Sequence, residues 1–246
     1  MRAHQFSDLY RSTNIQEIRG KHYDLLVCAA PSAAKWQANR NPEQDRAAVD
    51  QLIDNLAEVK SSECLVISTV DVYPIPRDVD ESFDCGSQPN HAYGTNRLYL
   101  EHSLSKMFGE SRVVRLPGLF GTGLKKNAIY DLLYDNCLTA INPESSFQYY
   151  DLSCLWEDLQ TIRRSQVRLI NLATEPVVTK TILQSYFPDK QVGQQASPEA
   201  HYDIRTRHAE IFSKNGPYRF ERAEVLTRLG RYIHSVHQSV PPEAGA

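Results

Sequence analysis

A threonine, a tyrosine and an arginine are the residues of this sequence whose types and spacing could carry proton-transfer chemistry. Thr69 follows an apolar segment, and Tyr93 and Arg97 stand four residues apart, which places them on one face of a helix. A free tyrosine has a pKa of about 10, so it needs a nearby cation and a hydrogen-bond partner to act as acid or base near neutrality. Arg97 would supply that cation, and Thr69 would donate a hydrogen bond to the phenol or to a substrate oxygen.

The elements around these residues alternate between strand and helix. Short apolar segments typical of buried strands lie at 23–30, 64–68 and 111–116. Pro42 suits a first helical position and is followed by an apolar face that extends to about residue 59, and a second helix is predicted over 93–108. This order predicts a doubly wound parallel α/β sheet of the Rossmann type, in which ligands bind at the carboxyl ends of the strands.

The second half of the chain is less regular. Further helices are predicted at 128–136, 152–164, 178–187 and 220–236, and a further strand at 167–172. We expect an incomplete dinucleotide-binding domain over 1–122, a smaller C-terminal substrate-binding α+β part over 123–240 that is interleaved with the sheet, and a tail over 241–246.

Three segments, taken in order, resemble the extended short-chain dehydrogenase/reductase superfamily, the NAD-dependent epimerase/dehydratase family. Its members carry Ser or Thr at a strand end, a Tyr-x-x-x-Lys helix, and an Arg-to-Gly turn after the next strand. The counterparts here are Thr69, Tyr93 with Arg97, and 115–121. The resemblance covers most of the chain, from about Phe6 to the last helix, and the ordered set is far more specific than any one segment.

The resemblance implies an NAD(P)-dependent oxidoreductase that acts on a nucleotide sugar or a related carbonyl or alcohol substrate. Thr69, Tyr93 and Arg97 would be its catalytic residues, with Tyr93 as the acid/base. The cofactor, NAD or NADP, would contact Tyr93, Arg97, Cys28, Ala29, Ala30, Ser68, Pro117 and Gly118. The substrate would contact Asp71, Lys126 and Asn127. The superfamily commonly forms homodimers through the helix that carries Tyr93 and the helix before it.

Two features near the candidate catalytic residues depart from the superfamily pattern. The lysine of the tyrosine helix is Arg97, whose pKa above about 12 keeps it out of a proton relay. Dehydratases of the superfamily carry two acids after the threonine, whereas this chain has Val70 and Asp71. That difference disfavours a dehydratase of the usual kind, and Asp71 could equally be a loop-capping residue.

A third departure concerns the amino-terminal region. The superfamily begins with a strand and a glycine-rich turn that holds the pyrophosphate at a helix N-terminus, whereas the first glycine here is Gly20. Residues 1–5 would then be the end of a first helix, and 6–12 a second strand. The missing glycine-rich turn would be explained by a misassigned start, by a fragment, or by a degenerate relative of the superfamily. A degenerate relative implies an alternative function, that of a catalytically silent Rossmann-like binding or scaffold module. A weaker alternative is a reductase of a non-sugar carbonyl.

Composition excludes several other classes. The net charge of −3, from 27 basic and 30 acidic residues, gives no electrostatic footprint for nucleic acid. No apolar stretch of about 18 residues predicts a membrane span, and the first residues do not resemble a signal peptide. Five scattered cysteines without a CxxC pair indicate reduced thiols in a cytoplasmic protein. Eight histidines without HxH or HxxxH spacing predict no metal site.

Overall fold

A computed structural model of the chain describes residues 6–124 and 126–239. The expected helix end at 1–5, the tail at 241–246 and Lys125, which precedes the predicted substrate residue Lys126, lie outside the described residues. The strands are β1 His22–Cys28, β2 Lys60–Thr69, β3 Arg77–Val79, β4 Ser111–Leu116, β5 Gly118–Phe120, β6 Ser146–Phe147, β7 Tyr149–Asp151, β8 Leu169–Asn171, β9 Val177–Val178 and β10 Asp203–Ile204. The helices are α1 Lys35–Arg40, α2 Pro42–Leu56, α3 Ala92–Met107, α4 Asn127–Leu133, α5 Leu155–Arg164, α6 Thr179–Tyr186 and α7 Arg222–Ser239.

A parallel sheet in the order β1-β2-β4-β8 organises the first part of the fold. Its register pairs Leu26 with Cys64, and Val66 with Val113. Helices connect β1 to β2 and β2 to β4, as parallel neighbours require. The predicted parallel α/β sheet is therefore confirmed.

The chain forms two compact units, each built from separate stretches of sequence. The first comprises residues up to Ile75 with Glu81–Leu116 and Gln160–Asn171. The second comprises Pro76–Asp80, Pro117–Leu159 and residues from Leu172 onward. The stretch Gln160–Asn171 joins the first unit because it contains β8, the partner of β4.

The interior of the first unit combines an apolar core with buried ion pairs, one of which joins the sheet to α3. Val49, Cys64 and Leu104 are fully buried between the sheet and the helices. On β4, Arg115 donates to the Glu101 carboxylate of α3 at 2.7 Å, and both side chains are only 4% exposed. The Ser68 hydroxyl donates to the same carboxylate. This network occupies the buried charges and fixes α3 on the sheet.

The second unit contains short two-stranded pairs rather than one sheet. β5 pairs with β7 in parallel, β6 with β9 antiparallel, and β3 with β10 in parallel. The buried Gln148 amide links two chain segments by donating to the carbonyls of Thr174 and Ile204. These side-chain bonds replace the long ladders that a continuous sheet would provide.

The strand predicted at 6–12 is wrong. These residues form no strand, and their polar groups bond through side chains. The Tyr23 hydroxyl donates to the Asp8 carboxylate at 2.7 Å, and the Tyr10 and Tyr23 hydroxyls are 2.8 Å apart. Leu9, which would have supported the strand pattern, is 71% exposed. The segment thus packs against β1 by side-chain hydrogen bonds instead of a backbone ladder.

Candidate active site

Tyr93 and Thr69 come together in the first unit, where β2 ends and α3 begins. Tyr93 is 6% exposed, and its backbone N–H donates to the Asn39 side-chain carbonyl at 2.9 Å. The Thr69 hydroxyl accepts a hydrogen bond from the Asp71 backbone N–H at 3.1 Å. Its own O–H hydrogen remains available for donation to Tyr93 or to a substrate oxygen. Thr69 and Tyr93, two of the predicted catalytic residues, therefore place their hydroxyl groups in the same site.

The surroundings of Tyr93 act on its pKa in opposite directions. Burial has the largest effect and raises the pKa, while the Arg97 guanidinium lowers it. The Asp71 carboxylate raises the pKa again, and hydrogen bonding by Thr69 lowers it. The net result is a pKa above the usual value of 10.0. The phenol therefore holds its proton at neutral pH in the absence of a ligand.

The Arg97 guanidinium lies over the Tyr93 ring and forms a bidentate ion pair with Asp45. Its central carbon lies 4.4 Å from the centroid of the Tyr93 ring. Its two terminal nitrogens donate to both Asp45 carboxylate oxygens, at 2.9 and 3.0 Å, and one also donates to the Ser32 carbonyl at 2.7 Å. The side chains of Arg97 and Asp45 are 5% and 10% exposed. Arg97 thus ties α3 to α2 and to the segment after β1.

A second set of charged groups lies beside Tyr93. The Lys35 ammonium contacts the Asp71 carboxylate at 2.7 Å. The His91 ring centroid is 6.3 Å from that of Tyr93, and its Nδ1 accepts a hydrogen bond from the Gly94 backbone N–H at 3.0 Å. Burial and the nearby Lys35 lower the pKa of His91, so the ring is neutral at pH 7. Asp71 is therefore half of an ion pair in the first unit.

The other cofactor residues predicted in the first unit differ in exposure. Cys28 ends β1 and is buried, and burial raises the pKa of its thiol to about 11. Ala29 and Ala30 follow it and are exposed, so their backbone is accessible to a ligand. Ser68 donates to the buried Glu101 carboxylate. Their roles in cofactor binding stay predictions.

The remaining predicted site residues belong to the second unit. Pro117 is buried, and a Cβ atom at Gly118 would lie 2.9 Å from the Gln148 carbonyl oxygen. Packing of β5 on the Gln148 segment thus already requires glycine at 118. The Asn127 side chain accepts from the Ile129 N–H and donates to the Leu119 carbonyl, while Lys126 is exposed at the start of α4.

Two other kinds of site find no support within the described ranges 6–124 and 126–239. No cluster of three or more His, Cys, Asp or Glu side chains there is arranged to hold a metal ion. Among those same residues, no helix has the length and apolar character that crossing a membrane requires.

Similarity to known proteins appears in structure and not in sequence. Neither the protein-family models nor the curated proteins give a match to this sequence. A UDP-glucose 4-epimerase from Thermotoga maritima, solved with UDP-glucose, is similar in structure with a TM-score of 0.69 and 12% identity, over 88% of this chain and 78% of that one. A UDP-N-acetylglucosamine 4-epimerase from Methanobrevibacter ruminantium, in complex with UDP-N-acetylmuramic acid, is also similar. Its TM-score is 0.69 and its sequence identity 12%, over 93% of this chain and 81% of that one. A third similar structure is a double mutant of the dTDP-glucose 4,6-dehydratase from Streptomyces venezuelae with NAD bound. Its TM-score is 0.68 and its sequence identity 13%, over 92% of this chain and 77% of that one. The chain has the epimerase/dehydratase fold.

This fold confirms the Rossmann-type architecture that the alternation of strands and helices predicted. Two charged residues of the site were not predicted from the sequence. They are Asp45, which pairs with Arg97, and Lys35, which pairs with Asp71. Asp45 lies on a predicted helix, but nothing in its spacing links it to Arg97, which is 52 positions later. Lys35 begins the six-residue α1, which is too short to show a periodic apolar face.

Proposed function

We propose that this chain is an NAD(P)-dependent oxidoreductase of the epimerase/dehydratase type, acting on a nucleotide sugar or a related carbonyl or alcohol compound. The observation that carries the proposal is the buried Tyr93 phenol with the Thr69 hydroxyl and the Arg97 guanidinium beside it. Proteins of similar structure are epimerases that bind UDP-sugars and a dehydratase that holds NAD, which supports the substrate and cofactor classes.

The Thr69–Tyr93 pair fits proton transfer at a substrate oxygen. A nicotinamide, when bound, supplies or accepts the hydride at the reacting carbon. Tyr93 then gives a proton to the oxygen or takes one from it, and Thr69 orients that oxygen with its remaining O–H donor. Burial of the phenol excludes competing water.

Arg97 is already engaged with protein partners, because its terminal nitrogens donate to Asp45 and Ser32. A guanidinium has five N–H donors, so a contact with the cofactor is compatible with these bonds. We propose that Arg97 supports Tyr93 as well as contacting the cofactor, and that the exposed Ala29 and Ala30 contact the cofactor too.

Substitution of the phenol tests the proposal. Tyr93→Phe in the full chain should lower turnover of UDP- or dTDP-sugars at least about a hundredfold, as expected for loss of a general acid/base. Affinity for NADH or NADPH, followed by fluorescence titration, should change little. Tyr99→Phe removes a hydroxyl from the same helix outside the site and serves as the control. Unchanged turnover in Tyr93→Phe would rule out the assigned role.

The silent binding or scaffold module is the second candidate, and one observation favours it. The Arg97 guanidinium beside Tyr93 is held in a buried ion pair with Asp45. Titration of the folded chain with NADH and NADPH separates the two functions. Micromolar binding supports the oxidoreductase, and absence of binding at millimolar concentration supports the silent module.

A further inference from the structure

The Asp45 carboxylate, the partner of Arg97, accepts several hydrogen bonds. Besides its two bonds from Arg97, it accepts a hydrogen bond from the Asn96 side-chain amide at 2.8 Å. Burial alone would raise the pKa of Asp45, but the bonds from Arg97 and Asn96 bring it below its usual value. Asp45 is therefore ionised at neutral pH, and a negative charge lies directly against the guanidinium.

The pairing changes what Arg97 offers to Tyr93. A lone guanidinium 4.4 Å from the ring would favour the phenolate. A bidentate carboxylate partner offsets much of that charge, because an ion pair presents a weaker field than a single ion at the same distance. The partner also fixes the planar guanidinium against the ring, a geometry that a lysine could not adopt.

The other charged groups that face Tyr93 do not restore a net positive field. The Asp71 carboxylate raises the pKa of Tyr93, and Lys35 is paired with that carboxylate. The His91 ring, 6.3 Å away, has a lowered pKa and carries no charge at neutral pH. The two cations described near this site, Arg97 and Lys35, are thus each paired with a carboxylate.

We propose that Asp45 is a positioning residue, which holds the Arg97 guanidinium against the Tyr93 ring and offsets its charge. The inference rests on the proposed function, in which Tyr93 is the acid/base.

The charge that Asp45 offsets bears on the protonation state of Tyr93 in the proposed reaction. In the direction of reduction, a reduced nicotinamide would supply a hydride to the carbonyl carbon, and the C=O π bond would be replaced by C–H and O–H bonds. Tyr93 donates its phenolic proton to the carbonyl oxygen, with Thr69 hydrogen-bonded to that oxygen. The Tyr93 phenolate then regains a proton from water, so the enzyme returns to its starting state and only the cofactor is oxidised.

Direct titration of Tyr93 tests the role of Asp45 without any ligand. The full chain carries tyrosine labelled with ¹³C at Cζ, and comparison with Tyr93→Phe assigns the resonance. In the wild type, Tyr93 should remain a phenol at pH 9. Asp45→Asn keeps the shape of the side chain but removes its charge, so the midpoint of Tyr93 should fall by at least one pH unit, a tenfold gain in phenolate at a given pH.

Matched variants separate charge from structure. Asp50→Asn removes a carboxylate from the same helix, paired with the exposed Arg46, and should leave the Tyr93 midpoint unchanged. Asp45→Asn with Arg97→Gln removes both charges and should reverse the downward shift. An equal shift in Asp50→Asn, or no reversal in the double variant, would overturn the proposal. If Asp45→Asn does not fold, the variant that carries both substitutions still tests the proposal. A Tyr93 midpoint in that variant below the midpoint of the wild type would contradict the idea that Asp45 offsets the charge of Arg97.

The pH dependence of reduction provides the second readout. A proton donor is competent below its pKa, so carbonyl reduction should decline as pH rises through the Tyr93 midpoint. In Asp45→Asn this decline should move to lower pH by the same amount as the resonance. A decline that stays in place would overturn the donor role. Failure of nicotinamide binding would instead refute the proposed function, and the Tyr93 titration would remain as measured.

Discussion

At the scale of single residues, His91 combines a structural role with a pH-sensitive one. Its Nδ1 accepts the Gly94 N–H at 3.0 Å and so caps the first turn of α3. Burial, reinforced by Lys35, lowers the pKa of His91, although Asp71 acts in the opposite direction. Protonation would remove the acceptor at Nδ1, so the cap exists only in the neutral ring.

We predict that this cap makes stability depend on pH. Because the pKa of His91 is lower in the folded than in the unfolded chain, its contribution is fully present above pH about 6.5 and is lost as pH falls toward the folded value. His91→Asn keeps a capping acceptor and should lose less stability than the wild type between pH 7.5 and 5.5, measured by urea unfolding. His91→Ala should be less stable by about 1 kcal/mol at pH 7.5. Equal acid losses in the wild type and His91→Asn would contradict the prediction.

Single residues could be selected from the sequence only where a local pattern marked them. Thr69, Tyr93 and Arg97 were selected by their order along the chain and by the helical spacing of the last two. Asp45 was not, because its pairing with Arg97 depends on how α2 packs against α3. A contact of this kind is a tertiary property, and periodicity within one element carries no information about it.

At the scale of elements, the start of α3 packs against the 3-10 turn Val70–Val72 at very close range. A Cβ atom at Gly94 would lie 2.3 Å from both the Asp71 carbonyl oxygen and the Asn90 side-chain nitrogen. The Asn90 amide already bonds the carbonyls of Asp71 and Val72 at 3.0 Å. The absence of a side chain at Gly94 therefore allows Tyr93 and Asp71 to approach each other.

We predict that Gly94→Ala separates these two elements. The added methyl group cannot be accommodated without moving backbone, and overpacking of this kind costs about 1–3 kcal/mol or more. Chemical denaturation should show the loss, and any Tyr93-dependent activity should fall with it. Gly109→Ala is the control, since no atom lies within 4 Å of a Cβ there. Equal stability of the two variants would refute close packing at Gly94.

The elements themselves were predictable where burial imposes a pattern. The strand predicted at 111–116 coincides with β4, whose six residues are all buried, and the helix predicted over 93–108 matches α3. The strand at 64–68 proved longer, because the exposed half of β2 from Lys60 alternates in burial and lacks an apolar run. β3 was not predicted, since its partner β10 lies more than 120 residues later in the chain.

At the scale of the whole molecule, the cysteines report on the integrity of the fold. All five are free thiols. Cys137 is exposed, whereas Cys28, Cys64 and Cys85 are buried, and burial raises the pKa of each of these three. Cys154 is half-buried, and burial raises the pKa of its thiol as well. We therefore expect the exposed Cys137 to be the most reactive thiol of the native protein.

We predict that iodoacetamide at pH 8 modifies Cys137 rapidly and the three buried thiols only as the chain unfolds. Mass spectrometry after timed quenching should show one fast modification, which Cys137→Ser abolishes. Urea should accelerate the slow modifications together, because they depend on opening of the core. Rapid labelling of Cys64 in the absence of denaturant would mean that the core of the first unit is not closed as described.

The placement of β8 also affects how the chain is made on the ribosome. β4 ends at Leu116, and its second neighbour begins only at Leu169, about fifty residues later. At synthesis rates of roughly 5–20 residues per second, that edge of the sheet stays uncovered for roughly 3 to 10 s. An open strand edge of wholly buried side chains is a template for pairing with other nascent chains and a target for chaperones. The speed of translation between the two strands therefore bears on the yield of native protein, independently of the stability of the finished fold.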